Sequence, residues 1–314
     1  MTRASEHADD RMPRDFVGYA GHPPLVEWPG GARLAVNVVI NYEEGAERSP
    51  LDGDADREPL VEARYDVPEG ERELFMESTY EYGSRVGVWR LLALLDRHHI
   101  TPTVFASALA LERNAEVARA LVARGCDFVG HGYRWRPHTG MSREQERDHI
   151  RRCVESIART TGYRVRGWFT RPPNTMHTRE LLAEEGLLYD SGAVNDEVPY
   201  FQALAGRPFL IVPYSLDIND IKFVKGQFFT AADFAEYAID SFDTLYRESA
   251  ETPRMMSIGL HSRLIGRPGR LPGLERVIEH VSRHAGVWWA GRDRIATWWA
   301  ERQAPPGTWN WPRP

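Results

Sequence analysis

Short β-branched runs and amphipathic stretches alternate along most of the chain. Residues 33–40 (RLAVNVVI) form a short β-branched run, the mark of a buried strand. Further strands are predicted over 103–106, 126–129, 165–169, 209–212, 255–260 and 287–289. Between them, Val88, Leu91, Leu92 and Leu95 fall at i, i+3, i+4 and i+7, one face of a helix. Helices are also predicted over 114–124, with Gly125 as the residue after its end, and over 178–185, 231–247, 274–284 and 293–299. Ser142-Arg-Glu-Gln145 is a capping box. The helix it opens carries Ile150, Cys153, Val154, Ile157 and Ala158 on one face and stops near Gly162.

Strands that alternate with helices of this length pair in parallel through crossover helices. About seven such units point to a barrel or a doubly wound sheet. No linker-like change of composition, repeat or low-complexity tract interrupts 16–303, so a single barrel-like α/β domain is expected there. Residues 1–15 read as a flexible tail, and 304–314 as a Pro/Trp-rich tail that packs on something. The acidic, Gly- and Pro-containing stretch 43–73 is too long for a tight connection, which marks it as functional or disordered.

Composition removes several classes. The 314 residues are 42% hydrophobic and 27% charged, which suits a folded soluble protein. No apolar run is long enough to span a membrane, and the polar first residues lack the apolar core of a secretory signal. A charge of −6 without a basic run argues against nucleic acid as a partner. Cys126 and Cys153 cannot build a disulfide framework and read as buried thiols in a reducing, cytoplasmic setting. The expected partner is a small-molecule substrate. The aromatic tail and long loop suggest a homo-oligomer.

Candidate chemistry collects where the predicted strands end. The first strand runs into Asn41-Tyr42-Glu43-Glu44-Gly45, and another ends in Gly130-His131-Gly132. Others run into Thr170-Arg171-Pro172-Pro173-Asn174, Pro213-Tyr214-Ser215-Leu216-Asp217-Ile218-Asn219-Asp220 and Gly259-Leu260-His261-Ser262-Arg263. In a parallel barrel these ends share one face, and that face holds the active site. Each residue also has a plain alternative. Glu43 and Glu44 could be loop charges, or an adjacent pair whose repulsion raises one pKa and prepares a base. His131 could be a satisfied core histidine and Arg171 a loop brace. Asp217 and Asp220 could cap turns, or orient an imidazole or an arginine. Arg263, Arg267 and Arg270 form either a solvated loop or a clamp for an anion or carbonyl. The segment 77–85, with Glu81 and Arg85, reads as facing substrate, or as an ordinary structured loop. His149, His280 and His284 read as surface residues of helices.

A hydrolytic zinc site needs three ligands at about 2.0–2.3 Å and an open position. Glu44 and His131 can supply two. Four residues after His131 stands Trp135, which cannot bind metal.

This order of motifs resembles the polysaccharide deacetylase (NodB-homology) superfamily, whose fold is a distorted (β/α)7 barrel. Asn41-Tyr42-Glu43-Glu44 stands where the family has Thr-Phe-Asp-Asp, and His131-Gly-Tyr-Arg-Trp135 where it has His-Ser/Thr-x-x-His. Arg171-Pro172-Pro173 corresponds to its Arg-x-Pro, Asp217-Ile-Asn-Asp220 to its Asp-x-x-Asp, and Gly259-Leu260-His261 to its general-acid motif. The departures look like the cofactor-independent allantoinase branch. That resemblance implies hydrolysis of a cyclic amide, allantoin to allantoate in purine catabolism, with no cofactor. In this reading Glu43 is the base, its pKa raised by Glu44. His261 is the acid, with Asp217 among the catalytic group, and Arg171, His131 or backbone N–H groups near Gly45 meet the oxyanion. His131, Trp135, Glu81, Arg85, Asp220, Arg263 and Arg267 hold substrate, with Trp135 filling the metal cavity. The competing readings are a metal-dependent polysaccharide deacetylase, with zinc on Glu44 and His131, and an inactive barrel used for binding.

Overall fold

The computed structural model describes residues 14–59 and 67–308. Most of the 1–15 tail, part of the acidic loop and residues 309–314 of the C-terminal tail lie outside the described residues. The strands are β1 (Leu34–Tyr42), β2 (Thr103–Ala106), β3 (Asp127–Gly130), β4 (Gly167–Trp168), β5 (Tyr189–Asp190), β6 (Tyr200–Leu204), β7 (Arg207–Ile211), β8 (Arg254–His261) and β9 (Val287–Trp289). The helices are α1 (Leu74–Tyr82), α2 (Val88–Arg97), α3 (Ala108–Arg113), α4 (Ala115–Ala123), α5 (Arg143–Thr161), α6 (Thr178–Glu184), α7 (Ala231–Glu248), α8 (Ser262–Ile265), α9 (Leu271–Ser282) and α10 (Arg292–Gln303). A π-helical turn, Gly83–Gly87, joins α1 to α2.

The sheet runs β6-β7-β5-β4-β3-β2-β1-β8, and β9 adds to β1 beside the start of that strand. Only the β6–β7 hairpin is antiparallel; β1 to β5, β7 and β8 form the seven parallel strands of a distorted (β/α)7 barrel. Its last gap is bridged thinly, by Gly259 N–H donating to Ile218 O at 2.8 Å and Met255 N–H to Glu197 O at 2.9 Å.

Every residue of β1 is buried, which is why its sequence shows a run rather than an alternation. Leu34, Val36, Val38 and Ile40 point outward and pack against apolar stripes of the surrounding helices, among them Leu91 and Leu95 of α2, Ile150 and Ile157 of α5, and Phe234 and Phe242 of α7. Ala35 and Val39 point inward. The N-terminal mouth is plugged by Trp28 and by Ile295 and Trp299 of α10, the two indoles 5.7 Å apart. Above the plug lies a polar layer. Arg292 is fully buried there and donates to Ser191 Oγ (2.7 Å), Asn37 Oδ1 (3.0 Å), Ser257 Oγ (3.1 Å) and the carbonyls of Val212 and Pro213. Burial pulls its pKa down to about 10. Higher still, Asn41 Nδ2 donates to Tyr214 Oη (3.3 Å) and Leu260 O (3.2 Å). The strand C-termini, and the chemistry they carry, sit above this layer.

The capping box at Ser142, the left-handed Gly162 and the strand over 103–106 match the sequence pattern. Five elements are not legible in the sequence: β5 has two residues, α8 four and α3 six, β6 (YFQAL) shows no alternation, and α1 lacks a clear apolar face. The predicted strand over 165–169 shrinks to Gly167–Trp168. Among the described residues no helix is long and apolar enough to cross a membrane. Both cysteines are free and buried, and burial pushes the Cys126 thiol up to about 12.

Candidate active site

Glu43 and Glu44 leave the end of β1, His131 follows Gly130 of β3, His261 is the last residue of β8, and Arg263 belongs to α8. Parallel pairing brings these strand ends together. Glu43 Oε1 lies 3.3 Å from His131 Nε2 and 3.5 Å from His261 Nε2, while Oε2 accepts from Arg263 Nη1 at 2.8 Å. All four side chains are buried.

Each ring is held from behind. His131 Nδ1–H donates to Phe169 O at 2.6 Å, and the ring stacks on Phe169. A carbonyl can only accept, so Nδ1 carries the hydrogen and Nε2 faces Glu43. His261 Nδ1 donates to Asp220 Oδ1 at 2.6 Å. Asp220 Oδ2 accepts from the backbone N–H of His261 (2.7 Å) and of Ile265 (3.1 Å). Both carboxyl oxygens of Asp220 are therefore engaged in orienting the imidazole and holding the backbone beside it.

The charges settle into one arrangement. Burial would raise the pKa of Glu43, but the positive charges of His261 and Arg263 outweigh it and hold the carboxyl well below its ordinary range. Burial opposes a charge on His261, yet Glu43 and Asp220 raise its pKa to about 9. Glu43 is the carboxylate and His261 the imidazolium at neutral pH. This reverses the sequence expectation that Glu44 raises Glu43. Glu44 itself is the raised group, chiefly by burial. Its carboxylate accepts from the backbone N–H of Arg263 (3.1 Å) and of Glu43 (3.2 Å), and so docks α8 against β1. A Cβ at Gly83 would collide with Glu44 Oε1, so the π-helical turn approaches this carboxylate only because residue 83 is glycine.

An aromatic wall encloses one side. Trp135 stacks under the Arg171 guanidinium at 3.7 Å, lies 5.2 Å from that of Arg263, and tilts against Tyr80 at 6.3 Å. Arg263 also lies over Tyr80, at 4.7 Å. Arg171, expected as an oxyanion donor, has both terminal nitrogens engaged on the rim. It makes two parallel bonds to buried Glu58 (2.8 and 2.6 Å) and one to Trp135 O (3.0 Å), which ties the long acidic loop to the rim.

Four expected site residues lie elsewhere. Asp217 is three-quarters exposed, 3.7 Å from Lys222, because the turn that points Asp220 inward points Asp217 outward. Glu81 and Arg85 pair with each other on the exposed face, while Tyr80 takes the inward position. Arg267 lies over Tyr82 at 3.6 Å and braces the loop, so that of the arginine cluster only Arg263 enters the site. His149, expected on the surface, is buried on α5. Sequence reasoning missed Tyr80 and Glu58. Tyr80 lies within a segment it singled out, whereas nothing local distinguishes Glu58 from the other acids of its loop.

The zinc pairing of Glu44 with His131 does not fit these residues. Glu44 bonds the backbone of α8 and β1 instead of facing His131. Glu43, which does face His131, holds a guanidinium at 2.8 Å, and the third position is the indole of Trp135.

Asp220→Asn tests the backing of His261. Removing that carboxylate favours the neutral imidazole, so the alkaline limb of kcat/KM, expected near pH 9, should move toward neutrality while KM changes little. A limb that stays in place would show that Asp220 only holds the loop.

A curled parallel sheet carrying these motifs at its strand ends defines the polysaccharide deacetylases, and the family model of that description matches residues 71–188. A Schizosaccharomyces pombe protein assigned to the polysaccharide deacetylases is 40% identical over 312 residues, 92% of this chain and 97% of that protein. The chain belongs to this family of hydrolases. Two crystal structures are each 45% identical with a TM-score of 0.89. One, a probable polysaccharide deacetylase from Pseudomonas aeruginosa PAO1, is matched over 93% of this chain and 99% of its own. The other, PuuE allantoinase, is matched over 93% and 98%.

Proposed function

We propose that this protein is an allantoinase that opens the hydantoin ring of allantoin to allantoate by general acid–base hydrolysis. The observation that carries the reaction type is Glu43 held between His261, 3.5 Å from one carboxyl oxygen, and the Arg263 guanidinium, 2.8 Å from the other, charges that favour the carboxylate and the imidazolium. The likeness to PuuE allantoinase supports the substrate.

A water beside Glu43 Oε1 gives its proton to that carboxylate, and its oxygen bonds to the ring carbonyl carbon. Arg263, already oriented by Glu43 and the aromatic wall, supplies positive charge for the developing oxyanion; one such donor is worth about 100–1,000-fold in rate. The ring C–N bond breaks as His261 Nε2 gives its proton to the departing nitrogen. Glu43 has gained one proton and His261 has lost one, so a single transfer between them resets the site. Trp135 and Tyr80 give a flat ring its face, and Arg171 ties the loop that carries Glu58 over that wall.

The experiment offers allantoin and acetylated chitooligosaccharide to protein treated with dipicolinate. Allantoate should form at the untreated rate, without acetate. Acetate without allantoate from the untreated protein, lost on chelation and restored by zinc, would make the protein a metal-dependent deacetylase, and allantoate formation with that dependence would make the ring opening metal-dependent. No product from either substrate would favour a binding role.

A further inference from the structure

A second cluster of ligand-type side chains lies at the other end of the barrel. Asp243 of α7 and His280 of α9 face each other, Oδ1 and Nε2 being 2.7 Å apart. His284 follows one turn later, just past the end of α9, with its ring 4.9 Å from that of His280. One ligand-capable atom from each residue lies within 4.8 Å of the other two, and among the described residues no other trio of His, Cys, Asp or Glu does so. The place in the fold is clear from the neighbours. Gly286 O accepts from the N–H groups of Arg33 and Leu34 at the start of β1, whereas Glu43 follows its end.

The rings are prepared for a cation. His284 Nδ1–H donates to His280 O at 2.9 Å, which fixes the tautomer and leaves Nε2 with the lone pair. Phe242 meets both imidazoles edge-on, at 5.6 and 5.0 Å, and Tyr246 lies 4.8 Å from His284. Their orientation is therefore set by packing as well as by hydrogen bonds. Asp243 is exposed and the two histidines half-buried, so solvent reaches the open side.

We infer that Asp243, His280 and His284 form a peripheral site for a first-row divalent cation of the zinc class, which clips the end of α9 to α7. Two imidazole nitrogens and a carboxylate oxygen, completed by water, are a donor set such ions take. The ion takes an imidazole lone pair from each histidine, so protons compete with it and affinity falls as pH falls. The site has no part in hydrolysis. Zinc carried by a preparation would reside here, and metal content alone would misreport the active site.

The test uses the full chain, stripped with dipicolinate and titrated with zinc chloride by calorimetry and thermal unfolding. Wild type should take up one equivalent, with Tm rising by several degrees. Asp243→Asn and His284→Gln should each weaken uptake by at least about tenfold and remove the Tm rise, with allantoin turnover unchanged. Asp243 is exposed, so its isosteric replacement keeps the fold testable should His284→Gln loosen the aromatic packing. Uptake unchanged in both variants, no saturable uptake by wild type, or uptake lost in His131→Ala but kept in Asp243→Asn would overturn the assignment.

Discussion

Glu43→Gln should lower kcat by about 100–10,000-fold, the range that a positioned acid–base group contributes, while the barrel remains folded. The amide has the shape of the carboxylate but takes no proton from water at neutral pH. Its oxygen can still accept from Arg263, and Glu44 stays 3.7 Å from that guanidinium, so the arginine is not left without an anion. His261 keeps Asp220 but loses the Glu43 charge. Its pKa then falls from about 9, because burial is opposed by one carboxylate instead of two. The variant should therefore combine a low plateau with an alkaline limb displaced toward neutral pH, and KM should change far less than kcat. Initial rates of allantoate formation from pH 5 to 10, with circular dichroism to confirm the fold, decide the matter. Rates within about tenfold of wild type would take the base role away from Glu43.

The strand-end residues were legible because topology alone places them. Parallel strands joined by crossover helices must end on one face, so Glu43, His131 and His261 meet whatever their rotamers. What the sequence could not show depends on partners far along the chain. Arg171 was found, but its ligand Glu58 lies 113 residues away in a loop without periodicity. The adjacency of Glu43 and Glu44 suggests repulsion, and the sign of the Glu43 shift is instead set by His261 and by Arg263, 220 residues away. Asp217 and Asp220 look equivalent on paper. A turn sends one inward and one to solvent, and no local pattern says which. Likewise β5 pairs through two residues of backbone, too few to leave a hydrophobic signature.

The same long-range pairing makes the loss of Arg263 costly to the fold. Arg263→Met keeps an unbranched, apolar stem against Tyr80 and Trp135 but leaves Glu43 and Glu44 buried side by side without their guanidinium. Removing one partner of a buried pair costs about 3–5 kcal/mol, mostly as the penalty on the charge that remains. The pH dependence identifies that charge. In wild type the folded pKa of Glu43 lies below its unfolded value, so its contribution to stability is present above the unfolded carboxylate pKa and is lost as pH falls through the folded one. In the variant, burial is no longer opposed by Arg263 and the folded pKa rises. The neutral acid then needs no cation, so the deficit relative to wild type should narrow from pH 7 to about pH 5, approaching the range where free carboxyls titrate. Adding Glu43→Gln should recover part of the lost stability at pH 7, since the double variant has no buried carboxylate at residue 43 with only the His261 charge left to oppose its burial. Urea unfolding of the wild type, both single variants and the double variant at the two pH values measures each of these quantities. A deficit that widens in acid, or a double variant less stable than Arg263→Met, would mean that Arg263 holds the site by packing against the aromatic wall and not by charge.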